Sequence, residues 1–250
     1  MAPPETTNAS DRCRVLELDP ALGEVIPAAL RGRAVAECIA REMTMQTGRW
    51  RATPPLNGRS LGIGLLVLEG LLVRRVGIDG RYGAELLGEG DLLRPSEGSD
   101  EMPTLPMTIG WRVLETARLA VLDDAFMAHV ADYPQLAGAL VGRAVSRSRN
   151  TAVNMAIVHQ ARVDVRLHML FWHLAARWGR VGSDGVTVPL RITHAVLAEL
   201  VAARRPTVTS ALTLLSKRGL VRPTDHGWLL AGEAPGELSE LSRIARRTVA

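Results

Sequence analysis

The stretch from Ile192 to Val221, ITHAVLAELVAARRPTVTSALTLLSKRGLV, constrains the fold of this chain more than any other. Thr193 is a suitable N-cap for a helix over Ala195 to Val201, because its short side chain can accept from a free first-turn amide. Ala202, Ala203 and Arg204 then make a turn. A second helix begins at Arg205 and Pro206, where proline is tolerated because a first-turn amide has no intrahelical partner. Its apolar residues Val208, Ala211, Leu212 and Leu215 form one stripe at helical spacing, which predicts a buried face. Arg205, Thr207, Thr209, Ser210 and Thr213 are left wholly or partly outward. Gly219 closes the helix as the residue beyond its C-cap.

The flanks extend this unit. Leu167, Leu170, Phe171, Leu174 and Trp178 fall at i, i+3, i+4, i+7 and i+11, the pattern of a helix with one buried face. Gly179 to Gly185 reads as a loop and Val186 to Leu190 as a short strand. Beyond Gly219, Leu220-Val221-Arg222, a turn at Asp225-His226-Gly227, and Trp228-Leu229-Leu230 read as a two-stranded hairpin. Two helices joined by a short turn and followed by such a wing make a winged helix-turn-helix, expected over residues 162–232. The second helix of such a unit fits a DNA major groove, which is about 12 Å wide.

The N-terminal part has a different texture. Residues 1–14 are rich in Pro, Thr and Ser and are expected to be disordered. Pro27 to Met45 carries Leu30, Ala34, Val35, Cys38 and Ile39 at helical spacing, which predicts one amphipathic helix. From Leu61, the runs LGIGLLVL, LLVRRV and AELL are separated by Glu69-Gly70, Asp79-Gly80 and Gly88-Glu89-Gly90-Asp91, and read as strands joined by tight turns. A further strand pair is predicted at Gly110 to Leu114 and Ala117 to Leu122. Strands this short and regularly punctuated suggest a small barrel or roll over residues 15–124.

A helical region covers 125–161, with Pro134 in the first turn of a helix reaching about Gln160. Ala137, Val141, Ala144, Ser148, Thr151, Met155 and Val158 follow one another at alternating steps of four and three, a heptad seam. That seam fits a helix lying on its own β domain or one pairing with a second copy. The two-fold symmetry common among DNA readers favours the second. Residues 233–250 form a C-terminal tail. The fold class expected is therefore α+β: a cupin-like β-roll, a long dimerisation helix and a C-terminal winged helix-turn-helix.

At 250 residues the chain is long enough for two domains, and 47% of it is hydrophobic. The 30 Lys+Arg against 26 Asp+Glu leave a net charge of +4, a mild attraction toward polyanions. Cys13 and Cys38 are too few for a disulfide framework and lack the spacing of a metal site, which fits a reducing cytoplasm. The N-terminus MAPPETTNASDR has no apolar signal core, and no stretch holds about 20 apolar residues, so neither export nor a membrane partner is expected. His168 and His173 are five residues apart and do not share a helix face, and His159 lies apart from both, so no metal is expected. Gly62-x-Gly64 precedes no helix as a dinucleotide loop would. No nucleophile elbow, Walker A sequence or zinc-hydrolase motif occurs, so an enzyme is not expected and no cofactor is called for.

With these residues in view, the chain resembles the Crp/Fnr superfamily of transcription regulators. The resemblance is carried by Ile192 to Val221 and, more loosely, by EGLLVRRV and LLGEGDLL, which look like the turns and strands of the family's cyclic-nucleotide-binding β-roll. It also implies that Asp123 to Arg162 is a dimerisation helix. Arg205 falls on the family's base-contacting Arg, where it would grip a guanine. The family's frequent Glu is replaced by Pro206 and a later Arg by Ser210, so the operator does not carry over. Base reading is expected from Arg205, Thr209 and Ser210, and phosphate contacts from Thr193, Arg204, Thr207 and Lys217.

The effector motif departs further. After Gly90-Asp91 comes LLRPSEGSDEMPT, where Arg94 lies too early for a cyclic phosphate and Glu97, Asp100 and Glu101 would repel one. Cyclic AMP is therefore not the expected effector, and an unknown small molecule or none takes its place. The expected partners are double-stranded DNA, a second copy of the chain and RNA polymerase. Two other readings remain open: a small-molecule-binding protein using the C-terminal module for protein contacts, and an enzyme with that module as an accessory.

Overall fold

The computed structural model describes residues 12–50, 62–95 and 106–232. It divides into two compact units, Met1–Thr151 and Ala152–Ala250. In the first, β1 (Arg12–Arg14), α1 (Val15–Leu18), α2 (Pro20–Glu24) and α3 (Ala28–Glu37) precede strands β2 (Ile39–Met45), β3 (Gly48–Trp50), β4 (Gly64–Ile78), β5 (Arg81–Gly88), β6 (Leu92–Leu93) and β7 (Met107–Leu122). Helices α4 (Asp124–Val130) and α5 (Pro134–Val158) follow, α5 continuing from Ala152 into the second unit. The strands form one antiparallel sheet in the order β1-β2-β7-β4-β5, with β3 added on β7 and β6 on β4.

The run Leu65 to Leu68 is apolar at every position because β4 is covered on both sides. Leu65 and Val67 face an inner cluster with Met43, Trp50, Leu87, Trp111 and Leu119. Leu66 and Leu68 face an outer cluster with Leu16, Leu22, Phe126, Leu136 and Leu140 from the helices. The sheet thus curls round one core and backs onto a second, a roll-like α+β architecture. Cys13 and Cys38 are buried in the outer cluster, and burial pushes each thiol up to about 11, far from reactive thiolate.

Several local expectations change here. Residues 12–14 form a strand rather than part of a disordered terminus, whereas Met1 to Asp11 lie outside the described residues. The helix expected over Pro27 to Met45 ends at Glu37, and β2 takes the rest. Ala40, Met43 and Met45 are buried, Leu30 and Ile39 exposed, so cross-strand pairing with β7 overrides the apparent helical spacing. Glu69-Gly70 is not a turn: β4 runs through it, with register shifts at Glu69 and Leu71. Gly70 has φ +95°, and a Cβ there would lie 2.5 Å from the Thr116 carbonyl oxygen, so the glycine serves a bulge. The pair expected at Gly110 to Leu122 is the single strand β7. Asp79-Gly80 is a two-residue hairpin turn, with φ of 49° and 72°.

Helix α4 is capped by Asp123, whose Oδ1 accepts from the Phe126 amide at 3.1 Å. Helix α5 is bound to the roll by arginines as well as by Leu136 and Leu140. Arg143 donates to Asp19 at 2.9 Å, and Arg147 donates to Glu85 at 2.7 Å and to the Leu92 carbonyl at 3.0 Å. Arg74 reaches the same Glu85 at 3.1 Å. Burial pushes the Glu85 carboxyl up, but Arg147 and then Arg74 outweigh it and hold it below the ordinary carboxylate range. Its contribution to stability is therefore full above the ordinary carboxylate pKa and is lost as pH falls through the lowered folded value. Glu85→Gln is expected to cost about 1–2 kcal/mol at neutral pH, a loss that shrinks on acidification, read by denaturant unfolding at several pH values.

The second unit contains α6 (Val163–Trp178), β8 (Arg180–Gly182), β9 (Gly185–Val188), α7 (His194–Leu200), α8 (Arg205–Lys217), β10 (Val221–Thr224) and β11 (Gly227–Leu230). Leu167, Leu170, Phe171 and Leu174 are buried on α6, as their spacing predicts, whereas Trp178 at the end of the helix is only half-buried. The wing differs from expectation, because β11 pairs with β9 as well as β10 and the sheet has the order β10-β11-β9-β8. The segment read as a loop at Gly179 to Gly185 is the β8–β9 hairpin. Gly227 permits this closure: its φ is +152°, and a Cβ would lie 2.1 Å from the Val188 carbonyl oxygen. Trp228 then packs on Phe171 with ring centroids 4.9 Å apart.

Candidate nucleic-acid interface

Helices α7 and α8 are set by their own sequence. Thr193 caps α7, its hydroxyl oxygen accepting from the Val196 amide at 3.3 Å. The turn to α8 holds Ala202 at φ +49°, a conformation that side chains seldom adopt. Arg166 on α6 steadies it by donating to the Val201 carbonyl at 3.1 Å. Val208, Ala211, Leu212 and Leu215 are buried on α8, so its opposite face is free.

That face carries the residues expected from sequence. Arg205, Thr209, Thr213 and Lys217 succeed one another at intervals of four and make one ridge, and all are exposed. Pro206 and Ser210 form the adjacent row, and Arg204 and Thr207 lie at the N-terminal end, also exposed. Arg191, on the segment leading into α7, and Arg222, on the wing, add exposed positive charge. Thr193 is exposed too, although its oxygen already serves the cap.

Three neighbours escaped the sequence reading. His194 Nδ1 lies 3.1 Å from Thr209 Oγ1, and its ring lies 6.3 Å from that of Trp228, so one side chain touches α8 and the wing. Arg191 donates to His226 Nδ1 at 3.3 Å at the wing tip. Arg166 supports the turn. All three contacts join residues far apart in sequence, and no spacing announces them.

The histidines of α6 belong elsewhere. His168 accepts from Trp172 Nε1 at 3.1 Å, and burial pulls its pKa down. Burial, then the charge of Arg177, does the same for His173. Among the described residues no three His, Cys, Asp or Glu side chains are grouped to hold a metal.

At the Gly90–Asp91 turn of the roll, Asp91 is buried and accepts from the Gly88 amide at 2.8 Å. A Cβ on Gly90 would lie 2.5 Å from Arg143, and Arg147 bonds the Leu92 carbonyl. Arg94 is exposed, while Glu97, Asp100 and Glu101 lie outside the described residues.

The family profile described as the Crp-like helix-turn-helix domain matches residues 165–231, which span α6, α7, α8 and the wing. The second unit carries a Crp-like helix-turn-helix domain. The CRP-like cAMP-activated global transcriptional regulator of Mycobacterium tuberculosis is 29% identical over 143 residues, covering 57% of this chain and 60% of that protein. The chain therefore matches about three fifths of the length of the curated relative. Solved structures extend the likeness to the fold of the roll. A cyclic nucleotide-binding domain containing protein of Listeria monocytogenes superposes with TM-score 0.61 at 14% identity, over 85% of this chain and 97% of that one. The c-di-GMP responsive global regulator CLP of Xanthomonas campestris gives 0.57 at 18% identity, over 83% and 100%. Both units of the chain are thus folded as in these two proteins. Among the described residues no helix is long and apolar enough to cross a membrane.

Proposed function

We propose that this protein is a sequence-specific, DNA-binding transcription regulator of the Crp/Fnr type, acting in the cytoplasm as a homodimer and not as an enzyme. The observation that carries the reading is the free face of α8 in the Crp-like domain, where Arg205, Thr209, Thr213 and Lys217 stand exposed on one ridge. A helix so presented enters a major groove, with Arg205 donating to guanine and Arg204, Thr207, Lys217 and Thr193 holding phosphates. RNA polymerase is the further partner that a transcription regulator addresses. Binding should be salt-dependent, and tighter on an operator than on random duplex by about 10³-fold or more. Equal affinity for genomic and random fragments at moderate salt would overturn the reading.

The dimer rests on α5. Opposite the face that Leu136, Leu140, Arg143 and Arg147 turn to the roll, Val141, Val145 and Met155 are 57%, 53% and 58% exposed. With Ser148 and Ala152 they make a stripe at alternating steps of four and three. Val145 and Ala152 would widen the seam suggested at Ala144 and Thr151, and the Thr151 hydroxyl lies 3.4 Å from Glu85. Apolar side chains this exposed on one face suit a second α5. Val141→Glu with Val145→Glu is expected to yield monomers with the roll still folded, seen by sedimentation and circular dichroism. A dimer undisturbed by the pair of charges would contradict this.

Cyclic AMP is not the effector in this reading. Arg143 packs against the Gly90–Asp91 turn from within the protein and is bonded to Asp19, while Arg147 holds Glu85 and the Leu92 carbonyl just beyond it. An unknown small molecule, or none, is left as the effector.

A further inference from the structure

The recognition helix carries an accounting of protons that bears on which bases it reads. A hydroxyl has one proton to donate and two lone pairs to accept with. Thr209 Oγ1 donates to the Arg205 carbonyl at 3.1 Å. Ser210 Oγ donates to the Pro206 carbonyl at 3.2 Å, and Thr213 Oγ1 to the Thr209 carbonyl at 3.0 Å. His194 Nδ1 lies against Thr209 Oγ1 on another side at 3.1 Å. If Nδ1 carries the proton, Thr209 accepts it; if not, Thr209 donates there instead. In both tautomers the hydroxyl proton of Thr209 stays within the protein.

We propose that the exposed face of α8 is divided into a donor end and an acceptor stripe: Arg205 donates, whereas Thr209, Ser210 and Thr213 present lone pairs only. In the major groove the amino groups of adenine N6 and cytosine N4 donate, while guanine N7 and O6 and thymine O4 accept. The stripe therefore selects adenine or cytosine edges beside the guanine held by Arg205. His194 is a positioning residue: by engaging Thr209 from a second direction it holds the hydroxyl rotor more firmly than the carbonyl bond that Ser210 and Thr213 share does alone. Thr213, one of the outward candidate readers in the sequence, becomes a specificity residue. The inference rests on the regulator reading above.

The test is selection from a randomised duplex library by the wild-type chain, followed by binding of the selected duplex with each stripe adenine replaced by purine, which lacks the N6 amino group, or each stripe cytosine by pyrimidin-2-one, which lacks the N4 amino group. The wild type is expected to enrich a guanine flanked on one side by adenine or cytosine. Removing the contacted amino group should weaken binding by about three- to tenfold, the size of one hydrogen bond. Thr209→Val should abolish that sensitivity at one position while keeping the guanine. His194→Phe, which retains a ring beside Trp228, should relax the same position with unchanged thermal stability. Enrichment of guanine or thymine edges under the stripe, or indifference to loss of the amino group, would overturn the inference and leave the regulator reading standing. No enrichment of any sequence by the wild type would overturn both.

Discussion

Arg205→Ala is expected to lower discrimination at one guanine of each half-site by about 5- to 150-fold, the worth of one bidentate contact, about 1–3 kcal/mol. In a dimer the loss acts twice, so affinity for the full operator should fall by the square of that factor, while binding to random duplex changes little. Lys217→Ala supplies the contrast. It lies on the same ridge, at the end of α8 remote from Arg205, and its removal should weaken all sequences alike and reduce the salt slope by about one. Equal losses on operator and random DNA from Arg205→Ala would show that Arg205 holds a phosphate and reads no base.

Phe171→Ala is expected to remove about 3–5 kcal/mol from the stability of the second unit. Phe171 is fully buried on α6, and Trp228 of the wing sits on it at 4.9 Å, so truncation opens a cavity between helix and sheet. Marginal domains have about 5–15 kcal/mol in all, so DNA binding should fail at temperatures the wild type tolerates. Unfolding followed by tryptophan fluorescence, to which Trp172, Trp178 and Trp228 of the second unit contribute, reads the effect. Wild-type stability in this variant would mean that the contact does not hold the wing to α6.

How much of this was legible in the sequence follows from the range of the forces involved. The buried stripe of α8, the Thr193 cap and the Gly219 stop are local: helix period and cap chemistry are written within a few residues, and the structure reproduces them. The roll was legible as a class but not strand by strand. Gly70 carries the same letter whether it makes a turn or relieves a bulge, and only the approach of the Thr116 carbonyl decides. The alternation of β2 was hidden because Cys38 and Ile39 also extend the helical spacing of α3, and pairing with β7 settled it. In the interface, exposure of the α8 ridge could be read from the stripe it opposes. The engagement of Thr209 by His194 could not, since the two lie fifteen residues apart and meet only when α7 packs on α8.

A paired α8 is expected to read a symmetric site in DNA. Fragmented genomic DNA incubated with the full chain at moderate salt, recovered with the protein and sequenced, tests it most directly. Enrichment of a few promoters sharing an inverted repeat is expected, with half-sites about 10 base pairs apart from centre to centre or a multiple of that, each containing the guanine that Arg205→Ala ceases to select. Recovered DNA with no shared sequence, bound no more tightly than the input, would contradict it.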